Sequence, residues 1–191
     1  MIRTFLAVDF DDGFLDEVAA LAERLRGGPR LSAARWAARE TLHTTLRFFG
    51  DTDDRQLAAL RVLVKDLSAG TAAFTVRATE VHGFPQRKSA HVLVLDIADT
   101  AVTALGTPRS ELGSMASRAE ATAVRLGFAA EDRPYHAHLT LARMRKPVDV
   151  SPLAVEAASV PPGRAIAVTL YASSSSPNGA VYTVLERAVF Q

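Results

Sequence analysis

The sequence contains no cysteine among its 191 residues, and this absence narrows the chemistry open to the protein. Without cysteine there is no disulfide framework, no thiol nucleophile and no thiolate metal site. An excess of one charge is also missing, because 22 Lys and Arg stand against 21 Asp and Glu, a net charge of +1. This balance is too even for a protein that coats nucleic acid by bulk charge, so an anionic ligand must be held by a local cluster.

Long apolar runs are missing as well, and no stretch approaches the length that crosses a bilayer. The opening residues, 1–10, are too short for a signal peptide and lead directly into a structured pattern. With 48% hydrophobic residues the chain can bury a substantial core. We therefore expect a cytoplasmic protein forming one domain over residues 1–191, monomeric, with no membrane association and no protein partner.

One short pattern occurs twice. Leu42–Gly50 reads Leu-His-Thr-Thr-Leu-Arg-Phe-Phe-Gly, and His138–Arg143 repeats its centre as His-Leu-Thr-Leu-Ala-Arg. Both copies lie in runs of β-branched and apolar residues, which favour a strand. Because side chains alternate along a strand, a His and the Thr two positions later point to the same face. Each copy therefore presents an imidazole beside a hydroxyl, and two copies indicate polar faces that meet across a cleft.

The two pairs, His43 with Thr45 and His138 with Thr140, suit displacement at phosphorus. Near neutral pH one imidazole can accept a proton while the other donates one. One activates the attacking oxygen and the other protonates the leaving oxygen, while the hydroxyls bind the non-bridging phosphate oxygens. This scheme requires no metal and no other cofactor.

Other interpretations compete with this one. A lone His on a strand is more often a satisfied structural residue than a catalyst, and His82 and His91, which lack a companion Thr, are interpreted in that way. His136-Ala137-His138 has the spacing of a zinc-binding pair, but it needs a third ligand such as His43 or an Asp. The serines at 173–176 lack a Gly-x-Ser-x-Gly elbow and are interpreted as a flexible polar loop. We favour the metal-free interpretation because the histidine pattern is duplicated.

The rest of the chain alternates between strand and helix patterns. Strands are predicted at 2–10, around the two motifs, and at 74–81, 91–97, 165–171 and 180–190, with a hairpin loop at 173–179. Helices are predicted at 14–25, at 57–67, over most of 100–126 and at 150–158. This order is a rough duplication with one motif in each half. It predicts an α+β, bilobal fold with a mainly antiparallel sheet backed by helices in each lobe and the active-site cleft between them.

Four segments of this sequence resemble a known family. They are Arg3-Thr4-Phe5-Leu6-Ala7-Val8, the stretch from Trp36 to Gly50, His138–Arg143, and Leu170-Tyr171-Ala172-Ser173 followed by Pro177, Gly179 and Tyr182. Together they are similar to the two-histidine phosphoesterases, and within them to the LigT-type RNA 2′,3′-cyclic phosphodiesterases, also called 2′-5′ RNA ligases. The resemblance extends over nearly the whole chain.

This resemblance implies pseudo-twofold symmetry and hydrolysis of a terminal 2′,3′-cyclic phosphate to a 2′-phosphate. The substrates would be RNA 3′ ends or small 2′,3′-cyclic nucleotides, with 2′-5′ ligation as the reverse reaction. It implies His43 as the acid that protonates the departing 3′ oxygen and His138 as the base acting on water. Thr45 and Thr140 would then bind the phosphate. A non-catalytic nucleotide- or RNA-binding module that uses the same cleft is the alternative.

Further contacts are expected from the flanks of the motifs. Arg143 matches the family's arginine after the second motif, and the resemblance implies that it adds positive charge and binds the substrate phosphate. Alternation places it opposite His138 unless the strand ends or bulges. Alternation places Arg47 on the face of His43, as an RNA-phosphate contact, and Tyr135 and His136 are further candidate RNA contacts.

The chain also departs from the family pattern. Ala137 stands where the family usually has Pro, so the entry of the second motif strand differs. For stacking on a base, the aromatic candidates are Phe10, Phe48 and Tyr135.

Overall fold

Ten strands and three α-helices make up the part of the chain that the structure, a computed structural model, describes: residues 1–99, 101–102, 108–153, 159–176 and 179–191. The strands are β1 (Ile2–Phe10), β2 (Arg35–Trp36), β3 (Thr44–Thr52), β4 (Phe74–Phe84), β5 (Ala90–Asp99), β6 (Ala101–Val102), β7 (Pro108–Arg109), β8 (His138–Val148), β9 (Gly163–Ser176) and β10 (Gly179–Val189). The helices are α1 (Asp12–Arg26), α2 (Asp54–Ser68) and α3 (Glu111–Arg125). Within these ranges no helix has the length and apolar character needed to span a membrane.

Each α-helix begins at a polar side chain that accepts a hydrogen bond from the first turn. Asp11 accepts from the backbone N–H of Phe14 at 3.1 Å before α1. Ser110 accepts in the same way before α3, and Asp53 forms a reciprocal capping box before α2. These caps satisfy N–H groups that have no acceptor within the helix.

Antiparallel pairing joins nearly all described strands into one sheet. The order is β1-β3-β8-β5-β4-β9-β10, and β1 also pairs with β9, which closes the strands from β1 to β9 into a barrel. β10 continues outward from β9, β2 pairs with β8, and β6 and β7 form a separate ribbon. The α+β class and the antiparallel pairing are confirmed. Because β1 is hydrogen-bonded on both of its edges, the pairing forms one closed barrel, and the expected bilobal arrangement with a sheet in each lobe is not confirmed.

The helices cover the barrel, and the core lies beneath them. α2 packs on β9 and β10, α3 packs on β3, and α1 contacts β9. Gly163, at the start of β9, lies so close to Phe14 of α1 that a Cβ on the glycine would overlap the Phe14 side chain. Only glycine allows the strand and the helix to approach this closely.

Three segments differ from the sequence prediction. The predicted helix over 100–126 begins only at Glu111, and β6 and β7 precede it; residues 100 and 103–107 lie outside the described residues. Of the predicted helix at 150–158, residues 151–153 form the 3₁₀ turn Ser151–Leu153, and residues 154–158 lie outside the described residues. The serines at 173–176, predicted as a loop, continue β9, because they pair with residues 179–182 of β10.

Candidate active site

The two His-x-Thr motifs lie at the starts of neighbouring strands. Thr44 of β3 pairs with Leu139 of β8, and this register places both motifs side by side. His43, Thr45, His138 and Thr140 all line one cavity of about 250 Å³. The structure thus brings together the four residues that the sequence singles out as central.

The backbone holds His43 in a defined tautomer. Its Nδ1 lies 2.7 Å from the carbonyl oxygen of Thr41, and because a carbonyl only accepts, Nδ1 carries the proton. Its Nε2 then has a free lone pair and accepts from the Thr45 hydroxyl at 3.1 Å. The imidazole and hydroxyl of the first motif therefore contact each other directly.

His138 is held in the same way. Its Nδ1–H donates to the carbonyl oxygen of His136 at 2.8 Å, which leaves the Nε2 lone pair available. In both motifs, therefore, the carbonyl two residues before the His orients the ring. The cavity is lined by two imidazoles in the same tautomer, each able to take up a proton at Nε2.

Aromatic rings enclose His43. Phe5 stacks on it at a centroid distance of 5.0 Å, and Tyr182 meets it edge-on at 5.4 Å. Burial lowers the pKa of His43, although the bond to the Thr41 carbonyl and the charge of Asp9 oppose the shift. His138 adds to the lowering, so the two imidazoles disfavour each other's protonation.

Asp9 is the carboxylate that acts on His43. It accepts hydrogen bonds from the hydroxyls of Thr169 at 2.7 Å and Tyr171 at 2.9 Å, and from Arg187 Nε at 3.1 Å. Three donors thus fix its position. The sequence offered no signal for this network, because its members lie on β1, β9 and β10.

Burial also lowers the pKa of His138. The hydrogen bond to the His136 carbonyl opposes this shift, and the neighbouring His136 side chain adds to it. Both shifts therefore favour the neutral form of the motif imidazoles in the ligand-free protein.

A β-bulge in β3 changes which side chains face the cavity after the first motif. Thr45 and Arg47 pair with consecutive residues of β1, so Leu46 is an extra residue, a β-bulge. The bulge interrupts the alternation of side chains. Phe48, three positions after Thr45, consequently lines the cavity.

Arg47 takes no part in the cavity, contrary to the expectation from strict alternation. It is only 7% exposed, and its guanidinium lies 2.5 Å from a Glu120 oxygen and 2.7 Å from a Glu131 oxygen. It also donates to the carbonyl oxygens of Phe48 and Ala129. All of its described contacts are therefore to the protein itself.

A matching bulge follows the second motif. Thr140 and Ala142 pair with consecutive residues of β5, which makes Leu141 the extra residue. Arg143 consequently lines the cavity. The sequence allows Arg143 to share the face of His138 only if the strand ends or bulges, and here the strand bulges. Arg35 of β2 pairs with Arg143 and lines the same cavity, so two arginines stand side by side at its rim.

Arg35 was missed from the sequence. Its only signal is that it stands next to Trp36 and seven residues before Leu42, where the first motif stretch begins. Trp36 lines the cavity as well.

Tyr135 and His136 do not line this cavity. The Tyr135 hydroxyl is buried, and that burial raises its pKa above the ordinary value. The His136 side chain lies 2.8 Å from a carboxylate oxygen of Asp96 instead. Phe48 is exposed at the cavity, whereas Phe10, another aromatic candidate, is 2% exposed in the core.

Comparison with known proteins places this fold and cavity in one class. The chain matches the model of the family described as LigT like Phosphoesterase over residues 8–94 and 105–182. It therefore belongs to the LigT-like phosphoesterase family, which confirms the resemblance inferred from the motifs and the expectation of a phosphoesterase.

Individual relatives agree with this assignment. A protein of Methanothermobacter thermautotrophicus named RNA 2′,3′-cyclic phosphodiesterase is 30% identical, and the match covers 97% of each chain. A protein of Thermotoga maritima with the same name is 25% identical, over 100% of this chain and 96% of the relative.

Solved structures share the fold. A Thermus thermophilus protein superposes with a TM-score of 0.76 at 25% identity, covering 99% of this chain and 98% of the other. E. coli LigT in apo form gives a TM-score of 0.66 at 25% identity, covering 100% and 98%.

Proposed function

We propose that this protein hydrolyses the 2′,3′-cyclic phosphate of RNA 3′ ends or small nucleotides to a 2′-phosphate. The observation that carries this proposal is the convergence of His43 and His138, each with its threonine, on one cavity. The names of the relatives support the substrate class, since they are called RNA 2′,3′-cyclic phosphodiesterases.

In this reaction a water oxygen attacks phosphorus and the bond from phosphorus to the 3′ oxygen breaks. His138 takes the proton of the water at Nε2, and protonated His43 gives a proton to the departing 3′ oxygen. This assignment of acid and base follows the family resemblance. Asp9 favours a proton on His43, whereas for His138 the favourable charge of Asp96 is opposed by the neighbouring His136 and His82, and this difference supports the assignment.

Binding of the substrate supplies the missing protonation. Both imidazoles favour the neutral form before binding, and an anionic phosphate beside them raises the pKa of the ring that carries a proton. Their mutual repulsion then favours one proton for the pair rather than two. The site thus holds one acid and one base, as the reaction requires.

The threonines and arginines complete the phosphate site. When His43 is protonated, Nε2 no longer accepts from the Thr45 hydroxyl, so that hydroxyl can donate to a non-bridging oxygen. Thr140 occupies the equivalent position in the second motif. Arg35 and Arg143 place positive charge at the rim, where the next phosphate of an RNA chain would lie.

A 2′-5′ ligation would use the same groups. If a 5′ hydroxyl replaces water as the nucleophile, the attack forms a 2′-5′ linkage and releases the 3′ hydroxyl. No group beyond the two imidazoles is needed for this step.

Product analysis tests the proposal. Purified protein is incubated with a 2′,3′-cyclic nucleotide and with an RNA ending in a cyclic phosphate, in the presence of a metal chelator. We expect a 2′-phosphate product, with no 3′-phosphate. Binding without turnover would instead identify the non-catalytic module and reject the enzymatic proposal.

A further inference from the structure

A second group of polar side chains lies beside the catalytic cavity. His82 is on β4, Asp96 is on β5, and His136 precedes β8. Asp96 pairs with His138, and His82 pairs with Val94, so His82 and Asp96 are diagonal neighbours on one face of the sheet. His136 lies two positions before His138, which brings it to the same face. The cluster is therefore built by three adjacent segments.

The contacts within this cluster are close. His136 Nε2 lies 2.8 Å from Asp96 Oδ1, and His82 Nδ1 lies 3.5 Å from Asp96 Oδ2. The two imidazoles stack with centroids 5.7 Å apart. Ligand atoms from all three residues lie within 4.8 Å of one another.

The polar atoms of the cluster are buried and incompletely satisfied. Asp96 is only 9% exposed. Among the described residues, Asp96 Oδ1 has no aligned hydrogen-bond donor, although His136 Nε2 lies only 2.8 Å away. His82 Nε2 is also buried and has no hydrogen-bond partner among those residues. A buried carboxylate that lacks aligned donors needs a positive charge nearby.

We propose that His82, Asp96 and His136 bind a divalent transition-metal ion of the zinc class. Two imidazoles and one carboxylate are a donor set that zinc uses, with a fourth position open to water. Tetrahedral zinc holds its ligand atoms about 3.4 Å apart, so rotations of these side chains bring the three donors into range. The half-exposed His136 side chain, 49% accessible, provides the entry path from solvent.

This site uses none of the four motif residues, although it lies next to one of them. Phe84 packs against His82 at 5.1 Å and against His138 at 5.7 Å, and His136 stacks on His138 with centroids 6.0 Å apart, so the cluster adjoins the proposed catalytic imidazole through ring contacts. The backbone of His136 nevertheless holds the Nδ1–H of His138. A bound ion would thus fix the segment that orients a catalytic ring, without taking part in the hydrolytic step.

Zinc binding tests this inference directly. The full chain is stripped with a chelator and titrated with Zn²⁺ in competition with a chromophoric chelator, and Co²⁺ is added in parallel to read the coordination by visible absorption. The variants are His136→Gln and Asp96→Asn in the cluster, with His91→Gln as an exposed control and His43→Gln as a control in the catalytic cavity. Thermal melting in chelator checks that each variant is folded; the exposed position of His136 makes its variant the main test.

We expect one zinc per chain in the wild type and in both controls, and binding weakened more than about 10-fold in His136→Gln and Asp96→Asn. The inference is overturned if the wild type binds no zinc or if His136→Gln binds it unchanged. It is also overturned if His43→Gln alone abolishes binding, since the ion would then lie in the catalytic cavity. Hydrolysis by the chelated wild type is scored separately, so the proposed function can fail without affecting this result.

Discussion

The hydroxyl of Thr44 donates to the backbone carbonyl oxygen of His138 at 3.2 Å, and this bond connects the two His-x-Thr motifs. Thr44 is fully buried and pairs with Leu139 in the single described register position between β3 and β8. The spacing of the two imidazoles therefore depends on one side chain and one short stretch of pairing.

Replacing Thr44 with Val tests this connection. The substitution keeps the volume but leaves the His138 carbonyl without that donor, so we expect the free energy of unfolding to fall by about 1 kcal/mol. We also expect a several-fold loss of kcat, because the two rings are held less firmly. Urea unfolding and steady-state kinetics measure both effects, with Thr183→Val on the exposed side of β10 as the control. A variant that is less stable yet fully active would assign the bond to folding alone.

Loss of either imidazole should remove activity without unfolding the protein. For His43→Gln and His138→Gln we expect turnover of a 2′,3′-cyclic nucleotide to fall by about 10²-fold or more, because each ring carries one proton transfer. Circular dichroism and the unfolding midpoint report the fold. His91→Gln, which changes an exposed histidine outside the cavity, should retain full activity; substantial turnover by either motif variant would contradict the mechanism.

The buried imidazoles predict an acid-shifted profile of kcat/KM. Burial lowers the pKa of His43 from the ordinary 6.5, and the reaction needs one proton on the pair. We therefore expect kcat/KM to rise as the pH falls from 7, and then to decline when both rings are protonated. The basic limb of kcat should lie at higher pH, because the bound phosphate raises the pKa of the acid. Rates measured from about pH 5 to about pH 9 test this, and identical profiles for both constants would contradict it.

The same burial makes stability depend on pH. The folded pKa of His43 is lowered and the unfolded value stays near 6.5, so between the two the unfolded chain binds more protons. The contribution of this ring to stability is complete above about pH 6.5 and is lost as the pH falls through the lowered value. Urea midpoints at about pH 7.5 and about pH 5.5 should show the loss. The loss should be smaller in His43→Gln, and an equal loss in that variant would assign the effect to other groups.

Arg47 and Arg143 follow the two motifs at similar positions, but we expect their substitution by Met to affect different properties of the protein. Arg143→Met removes positive charge from the cavity, and we expect kcat/KM to fall about 10-fold or more with stability unchanged. Arg47→Met leaves Glu120 and Glu131 without their cation, and we expect the free energy of unfolding to fall by about 3 kcal/mol. Unfolding and kinetics measured on both variants distinguish the two roles. If the Arg47 variant is stable but binds substrate poorly, Arg47 acts as the RNA contact that strand alternation predicts, and the structural role is wrong.

The sequence predicts that the four motif residues share one cavity because the relation between His and Thr spans only two residues of a regular strand. His43 with Thr45, and His138 with Thr140, keep the alternation that places them on one face. The prediction for Arg47 fails one step later, because Leu46 is a bulge residue and its side chain is an ordinary apolar one. No local pattern in the sequence marks that insertion.

Other features depend on pairing between distant segments. Closure of the barrel requires β1 to bond to both β3 and β9, and the hydrophobic pattern of β1 is compatible with either partner alone. The cluster of His82, Asp96 and His136 likewise arises from three separate segments. Local sequence patterns predict that strands are present, but they do not predict the order in which the strands pair.

The two bulges make the two sides of the cavity chemically different. Each motif adds one residue after its threonine, yet the side chain delivered three positions later is the ring of Phe48 in one strand and the guanidinium of Arg143 in the other. Two nearly equivalent imidazoles could not by themselves tell one end of a nucleotide from the other. Under the proposed mechanism, an aromatic face on one side and a cation on the other would admit a nucleotide in one orientation, so that the same histidine faces the departing oxygen in every turnover.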